Sequence, residues 1–157
     1  MKLLVVAVTH RTPDWVQTAC NDYTKRLPPD WTLQIRDVKA ADRQSGKTAN
    51  QTMSLEAERI RSALQNKPGP KFALDERGQA LTSQGFCEFL VQARQDVGHL
   101  SLIIGGADGL DASFKEQCDG LIRLSSMTLP HALVRVLLCE QIYRAWSIAH
   151  QHPYHRE

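Results

Sequence analysis

No stretch of this sequence is apolar for long enough to cross a bilayer, which takes about 20 residues in a helix. The apolar start, Leu3 to Val8, is too short for the core of a secretory signal, and no small-residue cleavage site follows it. Charge of either sign is not in excess. With 19 Lys and Arg against 17 Asp and Glu, the net charge of +2 excludes a general nucleic-acid coat, so any RNA contact must come from local clustering or from an oligomer. The four cysteines, Cys20, Cys87, Cys118 and Cys139, form no CxxC pair and no regular spacing. They read as free, mostly buried thiols in a reducing compartment and offer no zinc framework. Internal repeats and low-complexity linkers are also missing. The expectation is one domain, cytoplasmic, with no membrane and no metal.

What is present alternates. Leu3 to Val8 is a continuous β-branched run suited to a strand buried on both faces. Pro13 opens a helix, with Trp15, Val16, Ala19, Tyr23 and Leu27 at helical spacing, that Pro28-Pro29 stops. Trp31, Leu33, Ile35 and Val38 read as a second strand. A helix from about Asn50 to Gln65 carries Met53, Leu55, Ala57, Ile60 and Leu64 inward, and Phe72-Ala73-Leu74 is a very short strand before a turn at Asp75 to Gly78. Thr82 or Ser83 caps a helix to Asp96. Leu100 to Ile104 is the next strand, Asp111 caps a short helix, Leu121 to Leu124 is the last strand, and a final helix runs from Pro130 to about His150. Strands alternating with helices imply an α/β fold, a parallel sheet between helices.

Several segments are candidates for chemistry. Ser45-Gly46-Lys47-Thr48 resembles the end of a phosphate loop, but Ala41 stands where that motif needs glycine, so a solvated basic loop touching phosphates through Arg43 and Lys47 is the better reading. Gly105-Gly106-Ala107-Asp108-Gly109 does not have the dinucleotide spacing and divides between a tight turn and a ligand loop. On the final helix, Glu140, Gln141, Arg144 and Ser147 fall on one side and Arg135 on the other, among apolar residues. A guanidinium there needs a partner: an acid of the fold, an acid across a dimer interface, or a ligand. Aromatics make up only 6% of the chain, so Tyr154-His155-Arg156 in one run is informative. It offers stacking, proton transfer and anion binding in consecutive residues. The three tail histidines lack the supporting carboxylate or thiol of a metal site.

Leu102 to Gly109, Leu124-Ser-Ser-Met-Thr-Leu-Pro-His131, Leu133 to Val136, Gln141 to Ser147, Leu74 to Gly78 and the terminal His152-Pro-Tyr-His-Arg-Glu157 together resemble the RlmH-type ribosomal RNA methyltransferases of the SPOUT superfamily. The resemblance runs through essentially the whole chain. It implies a SPOUT fold with a C-terminal trefoil knot, which topology rules alone argue against. It implies a homodimer that uses S-adenosylmethionine to methylate N3 of a pseudouridine in 23S ribosomal RNA, on the assembled ribosome. Position by position, it implies cofactor contacts at Leu74, Gly105, Leu124, Ser125, Ser126, Met127, Thr128 and Leu129. His155, Tyr154 and Arg144 would be catalytic, and His131 and Arg156 would bind substrate. Thr9-His10 and Gln79 depart from the family pattern, where a glycine with a basic residue and a lysine are usual. Other readings are a SPOUT enzyme with another target nucleotide, a non-catalytic ribosome-binding factor on the same scaffold, and a flavodoxin-like nucleotide binder. The last is disfavoured because His10 to Pro13 stands where its phosphate loop belongs.

Overall fold

The computed structural model describes residues 1–43 and 46–155. Its elements are β1 (Lys2–Thr9), α1 (Asp14–Arg26), β2 (Thr32–Lys39), α2 (Ala49–Leu64), β3 (Lys71–Ala80), α3 (Ser83–Asp96), β4 (His99–Ile104), α4 (Ala112–Glu116), β5 (Gly120–Arg123) and α5 (His131–Ala149). All the strand pairs are parallel, in the order β2-β1-β4-β3-β5. The α/β fold with a parallel sheet between helices is borne out.

Successive residues of β1 show why both faces are covered, since side chains alternate across a strand. Leu3, Val5 and Ala7 join a core with Val16 and Cys20 of α1, Phe86 and Leu90 of α3, and Leu138 and Ile142 of α5. Leu4, Val6 and Val8 join the opposite core with Ala57 and Ile60 of α2 and Phe114 of α4. Three helices thus cover one face and two the other. Thr48 caps α2 through a reciprocal exchange with Gln51, Thr82 caps α3 by accepting from the Gly85 N–H, and Asp111 caps α4 by accepting from the Phe114 N–H.

Four expectations need correction. β3 does not end at Leu74. Its ladder with β5 breaks between Leu74 and Gln79 and resumes, so Asp75 to Gly78 is an irregularity within a longer strand. Gly78 is required there, because a Cβ would stand 2.5 Å from the Ile122 backbone. On α2, Met53 and Leu55 are only half-buried, whereas Thr52 and Glu56 are buried. On α1, Trp15 is 52% exposed and Cys20 takes the inward position. Ser147 does not share a wet side with Glu140, Gln141 and Arg144. It is fully buried, on a helix that packs against both α1 and α3. The four cysteines are free, and Cys20, Cys87 and Cys139 are buried. No helix among the described residues is long and apolar enough to cross a membrane.

Candidate active site

β4 and β5 deliver their C-terminal ends, and β3 the irregular middle of its strand, to one cleft of about 1160 Å³. Leu74 enters from β3 and Gly105 to Leu110 from the loop after β4. Leu124 to Leu129 enter from the loop after β5, and His131 from the first turn of α5. Every residue expected to contact the cofactor lines this cleft, together with His131.

The local geometry follows from the glycines. A Cβ on Gly105 would stand 2.7 Å from the Leu110 side chain and 2.9 Å from the Gly109 backbone, so the loop closes on itself only with glycine there. Gly109 has φ +87°, the left-handed region that favours glycine, and its N–H donates to the Gly106 carbonyl. In the loop after β5 the Met127 N–H donates to Ser125 Oγ (2.9 Å), and Met127 stands out at 76% exposure. Outside the strand ladder, no backbone–backbone hydrogen bond of residues 124–129 occurs among the described residues. Peptide groups facing a cavity in this way read a ligand edge without formal charge.

The wall beside Leu74 carries an ion pair that sequence reading missed. Lys115 Nζ of α4 lies 2.9 Å from Asp75 Oδ2, with the Asp75 side chain only 12% exposed. Burial alone would raise the Asp75 carboxyl. The hydrogen bond from the Arg77 N–H and the Lys115 ammonium outweigh it and hold the group below the usual carboxylate range. At the base of α4, Asp111 accepts from Ser113 Oγ, the Phe114 N–H and Ser54 Oγ. The Ser113 bond foremost keeps its carboxyl low despite partial desolvation.

The other candidate residues form a second group on the body of α5. Glu140 Oε1 accepts from Arg144 Nε (2.9 Å), Arg144 Nη2 (2.6 Å) and the Tyr154 hydroxyl (3.1 Å), while Gln141 Nε2 donates to Glu140 Oε2. Arg144 also lies over the Tyr154 ring at 5.2 Å. Burial, then a hydrogen bond with Tyr23 and the Glu140 carboxylate, push the Tyr154 phenol above its ordinary range. The bond to Glu140 raises Arg144. The tail is packed by rings: Tyr143 lies 4.8 Å from Tyr154, and Trp146 lies 5.2 Å from both His150 and His152. His155 is half-buried. Its N–H donates to the His152 carbonyl, and its Nδ1 has no hydrogen-bond partner among the described residues. Arg156 lies outside the described residues.

The structure therefore brings the cofactor candidates together and the catalytic candidates together, but not one group to the other. Arg144 stands 13 positions after His131 on one continuous helix, about 20 Å along its axis. Neither Arg144, Tyr154 nor His155 lines the cleft.

Arg135 resolves as an acid pair of the fold. Its Nη2 lies 2.8 Å from Asp37 Oδ1 of β2, and its Nη1 donates to Thr12 Oγ1, which itself donates to Asp37 Oδ2. Buried Glu56 was also missed. Its Oε1 accepts from the Ala41 N–H (2.9 Å), and its place on the apolar face of α2, between Thr52 and Ile60, was the available signal. Within the described residues no cluster of His, Cys, Asp and Glu forms a metal site.

Known proteins bear on this arrangement at two levels. The fold resembles a methylase family protein of Neisseria gonorrhoeae, with a TM-score of 0.54 at 16% identity over 90% of this chain and 81% of that one. In sequence the chain is 54% identical to the ribosomal RNA large subunit methyltransferase H of Bordetella avium, with 99% of each chain covered. It is 49% identical to the proteins of the same name in Janthinobacterium sp. (strain Marseille) and Ralstonia pickettii, again over 99% of both. A family model described as "Predicted SPOUT methyltransferase" matches residues 1–155, and the chain belongs to that family.

Proposed function

We propose that this chain methylates N3 of a pseudouridine in 23S ribosomal RNA with S-adenosylmethionine as donor, working as a homodimer on the ribosome. The observation that carries the reading is the convergence of all eight expected cofactor residues on one cleft, at the ends of β4 and β5 and the break in β3. Relatives named as ribosomal RNA large subunit methyltransferases at about half identity, aligned end to end, support the substrate class. A cytoplasmic location goes with that substrate.

The residues present fit the donor. The cleft is large enough for a nucleoside-sized ligand, and residues 124–129 on one side of it carry no charged side chain and make no backbone–backbone hydrogen bond outside the strand ladder among the described residues. Leu74, Gly105 and Leu124 to Leu129 would hold it. When bound, S-adenosylmethionine supplies a methyl group on a sulfonium, ready for in-line displacement. The protein must then align the acceptor and take away the N3 proton. His155, with an unpartnered Nδ1, is the candidate for proton removal. Tyr154 stacks on or orients the base. Glu140 holds Tyr154 and Arg144 as one unit, so that Arg144, with Arg156, faces phosphate or the developing anion. The alternative is that no residue acts as a base and that electrostatics with water suffice.

The roughly 20 Å between His131 and Arg144 on one rigid helix favours a site completed by a second copy, with the cleft of one subunit facing the tail of the other. The trefoil knot belongs to this reading through the family resemblance. The deciding experiment is methyl transfer to ribosomes from a strain lacking the modification, with the product nucleoside identified by mass spectrometry. A methyl on N3 of pseudouridine is expected. A product on any other nucleotide sinks the target assignment, and no transfer at all favours the ribosome-binding factor.

A further inference from the structure

The sheet builds two crevices, one on each side of β4. The chain leaving β4 enters α4, whose Phe114 packs in the core with Leu4 and Val6. Its neighbours β1 and β3 lead into α1 and α3, whose Val16 and Phe86 pack in the opposite core. Where adjacent parallel strands send their following helices to opposite faces, a crevice opens beyond their carboxyl ends, and ligands bind there. The crevice between β3 and β4 is the cleft described above. The crevice between β1 and β4 holds a second cavity of about 330 Å³, lined by none of the eight cofactor candidates. Its volume falls at the lower end of small-molecule sites.

This cavity has the composition of a nucleotide pocket. Ala7, Val8, Val16 and Ile104 give it apolar walls, and His10, Arg11, Arg43 and His131 stand exposed around it. Glu56, 3% exposed, adds a carboxylate acceptor. Gly106 stands against that carboxylate: a Cβ there would lie 2.4 Å from Glu56 Oε2. The two cavities touch. Both are lined by Ile104, Gly106, Ala107 and His131, and an ion pair of 2.8 Å joins Arg43 on the one to Asp108 on the other.

We infer that the β1/β4 cavity receives an unstacked nucleobase of the RNA substrate, with a phosphate of the same strand on Arg11 and Arg43. The inference rests on the methyltransferase reading above. Apolar walls take the faces of a base, a carboxylate accepts its N–H groups, and guanidinium groups take phosphate. Arg43 can exchange Asp108 for a phosphate oxygen without leaving the boundary between the cavities. The base is either the acceptor itself or its neighbour in the strand, and both present the same chemistry.

Two substitutions test this in the full chain. Ala132→Phe fills the cavity from the first turn of α5, and Arg11→Ala removes an exposed rim cation. Neither residue lines the cofactor cleft. S-adenosylmethionine affinity by calorimetry is expected to stay within about twofold of wild type for both. Methyl transfer to unmodified ribosomes should lose about tenfold or more in kcat/KM with Ala132→Phe. Arg11→Ala should lose about threefold and lower the salt slope by about one. A fall in kcat at saturating ribosomes assigns the acceptor to the cavity, and a rise in KM with kcat kept assigns its neighbour. Uridine 5′-monophosphate titrated into ¹⁵N-labelled wild type should shift the amides of Ala7 to Thr12 and Ala132. Shifts that are absent or confined to residues 124–129 overturn the inference, as do variants that match wild type in kcat/KM. If Ala132→Phe does not fold, Arg11→Ala and the titration decide. Wild type that transfers no methyl defeats the functional reading itself and the inference with it. Active wild type with indifferent variants defeats the cavity alone.

Discussion

The two ends of α5 solve opposite problems. At its start, the cleft is made of loops that follow β4 and β5 and of the irregular stretch of β3. Glycines at 105 and 109 set its shape, and its walls come from elements buried in both cores. At the far end, the tail is a cluster of side chains that mostly contact one another: Arg144 and Tyr154 on Glu140, with Tyr143 and Trp146 against the tail rings. The first region is held in shape by its own backbone. The second already has its contacts, and to act on RNA it must share or exchange them. Recognition of a constant ligand suits fixed peptide groups. Chemistry on a large substrate suits side chains with a choice of partners.

The sharpest way to break this contrast is to remove one function from each end. His155→Ala should lower kcat by roughly 10²–10⁴ if the imidazole takes the N3 proton, with S-adenosylmethionine affinity unchanged. Single-turnover transfer at saturating ribosomes measures it, and an unchanged rate would leave only electrostatics and water. Gly105→Ala should act at the other end. Its added Cβ presses on Leu110 and the Gly109 backbone, and a misfit of this kind costs roughly 1–3 kcal/mol, or about 5–150-fold in cofactor affinity by calorimetry.

Combining the two variants asks whether the regions meet across subunits. At limiting S-adenosylmethionine, both homodimers should be weakly active. Refolded together in equal amounts, they should recover about a quarter of wild-type activity, because half of the dimers are mixed and each mixed dimer holds one intact site. A mixture no more active than its parents would mean that each chain builds its whole site. The smallest effect concerns the cleft wall. Asp75 has a depressed carboxyl, so the stability it contributes is present above the unfolded carboxylate range and is lost as pH falls through the folded value. Asp75→Asn should therefore cost about 1 kcal/mol at pH 6 and clearly less near pH 3. Differential scanning calorimetry at the two pH values checks this. An equal deficit at both would assign the loss to packing.

Local pattern made the elements legible. The β-branched start, the prolines around α1 and the caps at Thr82 and Asp111 all act within a few residues, where periodicity and capping operate. Pairing between distant segments was not legible. Strand order places β4 between β1 and β3, and β3 continues past its break only because β5 lies alongside it. Arg135 announced that it needed a partner, but Asp37 and Thr12 lie far away in sequence, on β2 and before α1. The site was legible as two sets of residues, through the family resemblance. That one chain holds them at opposite ends of a helix became visible only with α5 in place.

That helix acts as a phase element as well as a spacer. One residue inserted between His131 and Arg144 would advance the tail by only about 1.5 Å but turn it through about 100°. The Glu140 clamp would then face away from its present direction, although every side chain of both regions survived. The length of α5 should therefore tolerate almost no insertion or deletion, while its exposed positions accept many substitutions. In this family member, the spacing between two signatures carries as much information as the signatures themselves.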